Sequence, residues 1–155
     1  MSTNTPYSLH DSSAPWPHRK SLVSRRTFSL TRSDRTSLER LLHDRVMSET
    51  PYPVILTGFL RYKLRTAIPV REPAPVDLVT GGCHVYYMIS GGGLQSGLLT
   101  FNAMHQVGAI PIASMLGATM IGMRRRQQAP ILREDGTVDT LVILDTSPLP
   151  ELAAA

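Results

Sequence analysis

The chain has 155 residues, one cysteine and a formal net charge of +4, with 42% hydrophobic and 18% charged residues. This composition is typical of one globular domain with a single core, and it excludes a disulfide framework and a cysteine-based zinc site. The first 20 residues are polar and contain no apolar stretch of the kind found in signal peptides. We therefore expect a soluble, cytoplasmic protein.

Basic residues are concentrated in the first half of the chain, where residues 1–72 hold twelve of the sixteen. The arginines between positions 25 and 45 are interleaved with Asp and Glu residues, and aromatic residues do not alternate with them. This pattern is typical of a solvated amphipathic helix with local ion pairs. We therefore expect no nucleic-acid partner.

The ends of the chain differ in composition from its middle. Residues 1–24 are rich in Ser, Thr and Pro and include the single tryptophan, Trp16, between two prolines. Such a segment cannot bury enough apolar surface to fold, so it predicts a disordered tail. We expect a single α+β domain over 25–150 and a frayed end over 151–155.

The first elements are a short strand over 26–31 and a helix over 36–47. Thr36 is a good N-cap residue and Glu39 lies three positions later, which is the pattern of a capping box. Leucines at helical spacing give this helix one apolar stripe. The helix ends before the prolines at 51 and 53.

Residues 54–67 are rich in β-branched and aromatic residues and predict a strand. From position 59 onward the apolar and polar residues alternate, which places Arg61, Lys63 and Arg65 on one face. Gly58 is the expected position of a bulge that resets the two faces.

Hairpins dominate the rest of the chain. The predicted elements are a central strand over 83–90, a turn at 91–93, a partner strand over 94–101, a helix from Pro111 to about Gly122, and strands over 124–132 and 138–144. Together the elements predict an α+β fold in which an antiparallel sheet of about six strands carries two or more helices on one side and encloses an apolar pocket.

From Leu78 to Met123 the chain has 46 consecutive residues without Asp, Glu, Lys or Arg. Three structures explain such a tract: a membrane span near 107–123 followed by three arginines, a buried core, or the wall of a closed apolar pocket. Pro111 and several glycines argue against the membrane span. The core and the pocket wall remain compatible with each other.

A small-molecule site needs a few polar groups directed into an apolar cavity. A carboxylate at Asp145 is either a turn cap before Ser147 or the acid of a site. Neither His84 nor His105 has the spacing of a metal site, so we expect no metal and no cofactor. The full candidate set comprises His84, Tyr86, Met88, Asn102, His105, Arg61, Arg65 and Asp145.

Three stretches of the chain resemble the chorismate pyruvate-lyase family and its UTRA-type ligand-binding relatives. Residues 26–42 resemble that family's opening strand, turn and first helix. Residues 100–118, with Ile110-Pro111 and Leu116-Gly117, resemble its strand, loop and Leu-Gly helix, and residues 124–145 resemble its last hairpin. The resemblance implies an antiparallel α+β fold around a shielded pocket and a cofactor-free lyase activity.

The resemblance also implies roles for individual residues. Asp145 stands where the family has a glutamate, and it would act as the acid or base. Tyr86 stands where the family has the arginine that holds the substrate carboxylate, so Arg61 or Arg65 would supply that charge. His84 and Tyr86 would orient the substrate, and Asn102, His105 and Met88 would complete the pocket.

We therefore expect a lyase, dehydratase or cyclase that acts on a cyclic or polyketide-like small-molecule substrate. A catalytically inactive small-molecule-binding module is the second interpretation. A small protein anchored in a membrane through 107–123 is the third. The sequence leaves a homodimer open.

Overall fold

The computed structural model of the chain describes residues 27–102 and 106–148. The predicted tail over 1–24 and the predicted frayed end over 151–155 lie outside the described residues. The elements, in chain order, are β1 (Ser29–Thr31), α1 (Arg32–Leu42), a 3₁₀ helix (Arg45–Glu49), α2 (Pro53–Thr66), β2 (Ile68–Val70), β3 (Cys83–Ile89), β4 (Gln95–Thr100), β5 (Ala109–Pro111), α3 (Met115–Met120), β6 (Gln128–Leu132) and β7 (Val138–Pro148).

The main sheet has five strands in the order β5-β4-β3-β7-β6. Strands β4 and β5 are parallel, whereas the other neighbours in this sheet are antiparallel. Strands β1 and β2 form a separate parallel pair. The α+β class and the predicted β3–β4 hairpin are confirmed, but the predicted six-stranded antiparallel sheet is wrong because two short strands join their neighbours in parallel.

Helix α2 (Pro53–Thr66) replaces the strand predicted over 54–67. Pro53 occupies the first turn, where its missing N–H costs nothing. Leu56, Leu60 and Lys63 repeat at helical spacing and are buried. The β-branched and aromatic residues that suggested a strand lie on the exposed and half-buried sides of the helix.

Helix α1 begins earlier than predicted. Thr31 is the N-cap, and its hydroxyl accepts a hydrogen bond from the Asp34 backbone N–H at 3.1 Å. Thr36 lies inside the helix, where its hydroxyl donates to the Arg32 carbonyl at 3.1 Å. The expected capping box at Thr36 and Glu39 is therefore wrong, because a better-placed threonine starts the helix.

The predicted helix over 111–122 and the predicted membrane span over 107–123 are both replaced by shorter elements. Strand β5 ends at Pro111, and α3 has only six residues, Met115–Met120. Among the described residues, no helix is long and apolar enough to cross a membrane.

The core lies between the inner face of the main sheet and the helices. Every second residue of β3 points inward, and the inward-facing residues Cys83, Val85 and Tyr87 are all buried. The uncharged tract is largely explained by this core and not by the wall of a closed pocket. Fully buried apolar residues include Leu30, Leu38, Leu56, Leu60, Leu99, Ile112, Met120, Ile121, Met123, Leu141 and Ile143.

Candidate functional site

The residues predicted to be catalytic lie together on the outer face of the main sheet. Tyr86 on β3 is directly opposite Asp145 on β7, and His84 is opposite Ser147. The His84 and Tyr86 rings are 5.0 Å apart between centroids. Strand β7 extends to Pro148, beyond the predicted end at 144, so Asp145 lies within the strand and does not cap a turn there.

The outer face is open to solvent. Tyr86 is 38% exposed, and the Asp145 carboxylate forms an ion pair with Arg125 at 2.8 Å. The side chains of Arg125 and Asp145 are 42% and 57% exposed, so Asp145 lacks the dry enclosure expected of a site acid. The geometry therefore favours an interaction surface here over an enclosed reaction site.

The remaining candidate residues are spread over the molecule. Met88 also lies on the outer face, opposite Val142. Arg61 and Arg65 are exposed on helix α2, in the helical layer. Asn102 is exposed just after β4, and His105 lies outside the described residues. The structure thus brings together four of the predicted residues and places Arg61, Arg65 and Asn102 elsewhere.

One cleft lies where the helical hairpin, which is formed by the 3₁₀ helix and α2, meets the sheet. It has a volume of about 280 Å³ and is mainly apolar. The Tyr52 hydroxyl donates to the Glu134 carbonyl at 2.7 Å, which ties the hairpin to the β6–β7 turn. The cleft is lined by Thr50, Pro51, Tyr52, Leu56, Ile89, Ser114, Met115, Leu116, Ile131, Leu132, Arg133 and Glu134.

A second cleft of about 280 Å³ adjoins the first, because both are lined by Thr50, Pro51 and Ser114. We call the two clefts together the hairpin groove. Both clefts are partly open to solvent, in contrast to the enclosed pocket that the sequence predicted. The second cleft is also lined by Val46, Glu49, Thr100, Phe101, Asn102, Pro111 and Ala113.

The floor of the hairpin groove is held by the turn that leads into α3. The Ser114 hydroxyl accepts from the Gly117 N–H at 3.0 Å and donates to the Pro111 carbonyl at 2.6 Å. A side chain at position 117 would collide with the Pro111 carbonyl oxygen, so only glycine permits this close packing.

The other end of α3 is held by Lys63, which is fully buried. Its ammonium group donates to the carbonyls of Ala118, Thr119 and Ile121 at 2.5, 3.0 and 2.6 Å. The same group lies 3.9 Å from the centre of the Phe28 ring. Burial lowers the pKa of Lys63 well below its usual value.

Asp34 binds the backbone that packs against the wall of the second cleft. Both oxygens of its carboxylate accept from the Gly81 N–H at 3.2 Å, and Gly81 packs against the Phe101 ring that lines the cleft. The pKa of Asp34 is raised to about 6, chiefly by burial; the Gly81 hydrogen bond opposes this shift, and the Glu72 charge adds to it.

Among residues 27–102 and 106–148, no group of three or more His, Cys, Asp or Glu side chains is placed to hold a metal ion. Arg133 is paired with Asp139. The groove is mainly apolar and can bind apolar side chains of a partner, and charged residues line both clefts: Arg133 and Glu134 in the first and Glu49 in the second.

Neither the hairpin groove nor the burial of Lys63 was predicted from the sequence. The spacing of Leu56, Leu60 and Lys63 was the available signal for a helix with Lys63 inside. The Ser114-x-x-Gly117 spacing indicated a capped, closely packed helix start. No local signal shows that the loop at Thr50 and Pro51 faces α3, because that contact joins distant parts of the chain.

No protein-family model matches the chain, and no curated protein matches it. A solved structure described as prokaryotic transcription elongation factor GreA/GreB from Nitrosomonas europaea aligns with a TM-score of 0.57 at 18% identity. The alignment covers 78% of this chain and 99% of that one. The chain has a GreA/GreB-like fold.

Two further solved structures align less closely. Gfh1, a GreA factor homologue from Thermus thermophilus, has a TM-score of 0.39 at 15% identity, with 78% of this chain and 99% of that chain covered. Gfh1 from Thermus aquaticus has a TM-score of 0.38 at 12% identity, with 79% and 99% covered. The fold assignment rests on the Nitrosomonas structure.

The GreA/GreB-like fold corrects the predicted resemblance to chorismate pyruvate-lyase and UTRA proteins. The resemblance was inferred from the order of the predicted elements. The structure has a helix where a strand was predicted over 54–67, and its main sheet contains a parallel pair of strands where an antiparallel sheet was predicted. The predicted lyase, dehydratase or cyclase is therefore wrong. The two alternative interpretations, a small-molecule-binding module and a membrane-anchored protein, are wrong for the same reason. The expectations of a small-molecule substrate and of no nucleic-acid partner are also wrong.

Proposed function

We propose that this protein is an accessory factor of transcription that binds RNA polymerase. The observation that carries the proposal is the GreA/GreB-like fold, which extends over 78% of the chain and nearly the whole of a protein described as a transcription elongation factor. Such a factor acts on the elongating complex, whose protein core is RNA polymerase. A cytoplasmic location is part of this proposal.

The hairpin groove is the surface that we assign to the polymerase. Its two adjoining clefts of about 280 Å³ each can take large apolar side chains, which are the usual anchors of a protein interface. Ser114 and Gly117 hold the floor in place before binding, and Tyr52 ties one end to the β6–β7 turn. A groove that is already ordered loses little conformational entropy on binding.

The proposal is tested by measuring the affinity of the intact protein for RNA polymerase core from the same organism by biolayer interferometry. Met115 lines the groove at the start of α3 and is half-buried. Met115→Glu places a charge in the apolar cleft, so we expect affinity to fall by at least about tenfold.

The matched control is Val54→Glu, because Val54 is 84% exposed on α2 and lines neither cleft. We expect this variant to bind like the unchanged protein. Circular dichroism and thermal unfolding check that both variants remain folded. Equal affinities for the two variants would remove the groove from the interface, and absence of binding by the unchanged protein would refute the function.

A further inference from the structure

The outer face of the main sheet presents two aromatic rings beside exposed hydroxyl groups. His84 and Tyr86 alternate along β3 and point away from the core, with ring centroids 5.0 Å apart. Ser96 on β4 is opposite Tyr86, and Ser147 on β7 is opposite His84. Both serines are exposed. Flat rings on an exposed sheet next to hydrogen-bonding groups are a suitable surface for unstacked bases.

Two arginines, Arg125 and Arg126, lie next to strand β7. Asp145, which is opposite Tyr86, is neutralised by Arg125 at 2.8 Å. Arg126 is exposed and has no ion-pair partner among the described residues. Its backbone N–H donates to the Ile143 carbonyl at 2.6 Å, which fixes the residue at the edge of β7.

The backbone of Arg126 adopts a positive φ of 66°, a conformation that side-chain-bearing residues rarely take. A strained conformation held by the surrounding structure is commonly found where a side chain is presented for a task. With Asp145 paired to Arg125, Arg126 beside strand β7 supplies the unpaired positive charge, and the whole chain has a net charge of +4. This charge suits a polyanion.

We propose that the outer face, formed by His84, Tyr86, Ser96, Ser147, Arg125 and Arg126, binds single-stranded RNA. The rings of His84 and Tyr86 stack on bases, the serine hydroxyls meet base edges or 2′-hydroxyls, and Arg126 contacts a phosphate. The choice of RNA rests on the proposed function in transcription. This face is formed by strands β3, β4 and β7, whereas the hairpin groove lies at the helical hairpin, so polymerase and RNA are bound at separate places.

The test is fluorescence anisotropy of the intact protein with a labelled single-stranded RNA of about 12 nucleotides. We expect Tyr86→Ala to weaken binding about tenfold and Tyr86→Phe to retain it, because stacking needs the ring and not the hydroxyl. The matched control is Tyr62→Ala, since Tyr62 is 51% exposed on α2. It should bind like the unchanged protein.

Salt dependence tests the assigned role of Arg126. Between about 50 and 200 mM salt, Arg126→Gln should reduce the slope of log affinity against log salt by about 0.7, the value for one phosphate contact on a single strand. The matched variant Arg61→Gln should leave the slope unchanged, because Arg61 is exposed on α2. An unchanged slope in Arg126→Gln would remove this contact.

The proposal is overturned if the unchanged protein binds no RNA at low salt, or if Tyr86→Ala and Tyr62→Ala bind RNA equally. It is also overturned if Tyr86→Ala leaves RNA binding intact but abolishes binding to the polymerase, which would make the outer face a protein interface. The anisotropy assay contains no polymerase, so its failure leaves the proposed function standing.

Discussion

Lys63 is the residue whose environment is hardest to predict from the sequence. The alternating pattern placed it with Arg61 and Arg65 on one face of a strand. On a helix, residues four apart share a side, whereas a residue two positions away points to the opposite side. Arg61 and Arg65 are therefore exposed together, and Lys63 enters the core and binds three carbonyls at the end of α3.

Lys63→Met tests what this buried ammonium group contributes. The substitution removes the cost of burying a charge but leaves three carbonyls at the end of α3 without their donor. We expect the loss of hydrogen bonds to dominate and the free energy of unfolding to fall by about 2 kcal/mol. Urea denaturation followed by circular dichroism measures the change.

Arg65→Met is the matched control for this prediction, because Arg65 is exposed near the end of the same helix. Its free energy of unfolding should change by less than about 0.5 kcal/mol. If Lys63→Met were more stable than the unchanged protein, the cost of burying the charge would exceed the value of its hydrogen bonds.

Asp34 gives the protein a stability that depends on pH. Its pKa is raised to about 6 in the folded protein against 3.8 for an unperturbed aspartate, chiefly by burial. The folded state therefore binds a proton more tightly than the unfolded state. The stability that this proton confers is present below the unfolded pKa and is lost as the pH rises through about 6.

Asp34→Asn removes the titration and retains an oxygen that can accept from the Gly81 N–H. Relative to this variant, the unchanged protein should lose at most about 3 kcal/mol of stability between about pH 4 and pH 7. Urea denaturation at both pH values measures the difference. A stability difference that is constant with pH would show that Asp34 titrates normally in the folded protein.

At the scale of elements, helix α2 shows where local pattern and tertiary packing conflict. Val, Ile, Phe and Tyr favour strands by their side chains, but this preference is weak against the burial of Leu56, Leu60 and Lys63 along one helical side. By contrast, the β3–β4 hairpin was predictable, because the strand-forming residues and the glycine turn between them favour the same structure.

Helix α3 owes its position to one glycine. A methyl group at Gly117 would collide with the Pro111 carbonyl oxygen, so the helix would have to move away from the preceding turn. We expect Gly117→Ala to lower the free energy of unfolding by about 2 kcal/mol and to weaken binding at the hairpin groove. Thermal unfolding and the polymerase affinity assay measure the two effects.

Gly58→Ala is the opposite case on helix α2. A methyl group there meets no atom within 4 Å, and the position lies inside the helix. We expect this variant to gain about 0.5 to 1 kcal/mol, because alanine loses less backbone freedom than glycine. If both glycine variants changed stability in the same direction, the close packing at Gly117 would not be the cause.

At the scale of the whole molecule, the α+β class followed from the mixture of patterns, whereas the topology did not. Each of the two parallel pairings, β4 with β5 and β1 with β2, involves a three-residue strand, β5 or β2, that is too short to be read from sequence. The candidate residues His84, Tyr86, Met88 and Asp145 do lie together. Their exposure depends on which face of the sheet the helices cover, and that is a property of the whole fold.

The same fold can serve many functions, so the surfaces must carry the functional argument. The hairpin groove is formed by the helical hairpin, α3 and the neighbouring strands, and the outer face is formed by β3, β4 and β7. A protein with two separate surfaces can contact RNA polymerase and RNA together. Each contact would then raise the effective concentration of the other partner.

The most direct test of this account is gel filtration of the intact protein mixed with RNA polymerase core from the same organism. We expect the unchanged protein and Val54→Glu to elute with the polymerase. We expect Met115→Glu to elute separately from it. If the unchanged, folded protein elutes separately from the polymerase at micromolar concentrations, about the range expected for a transient complex, the central claim is contradicted.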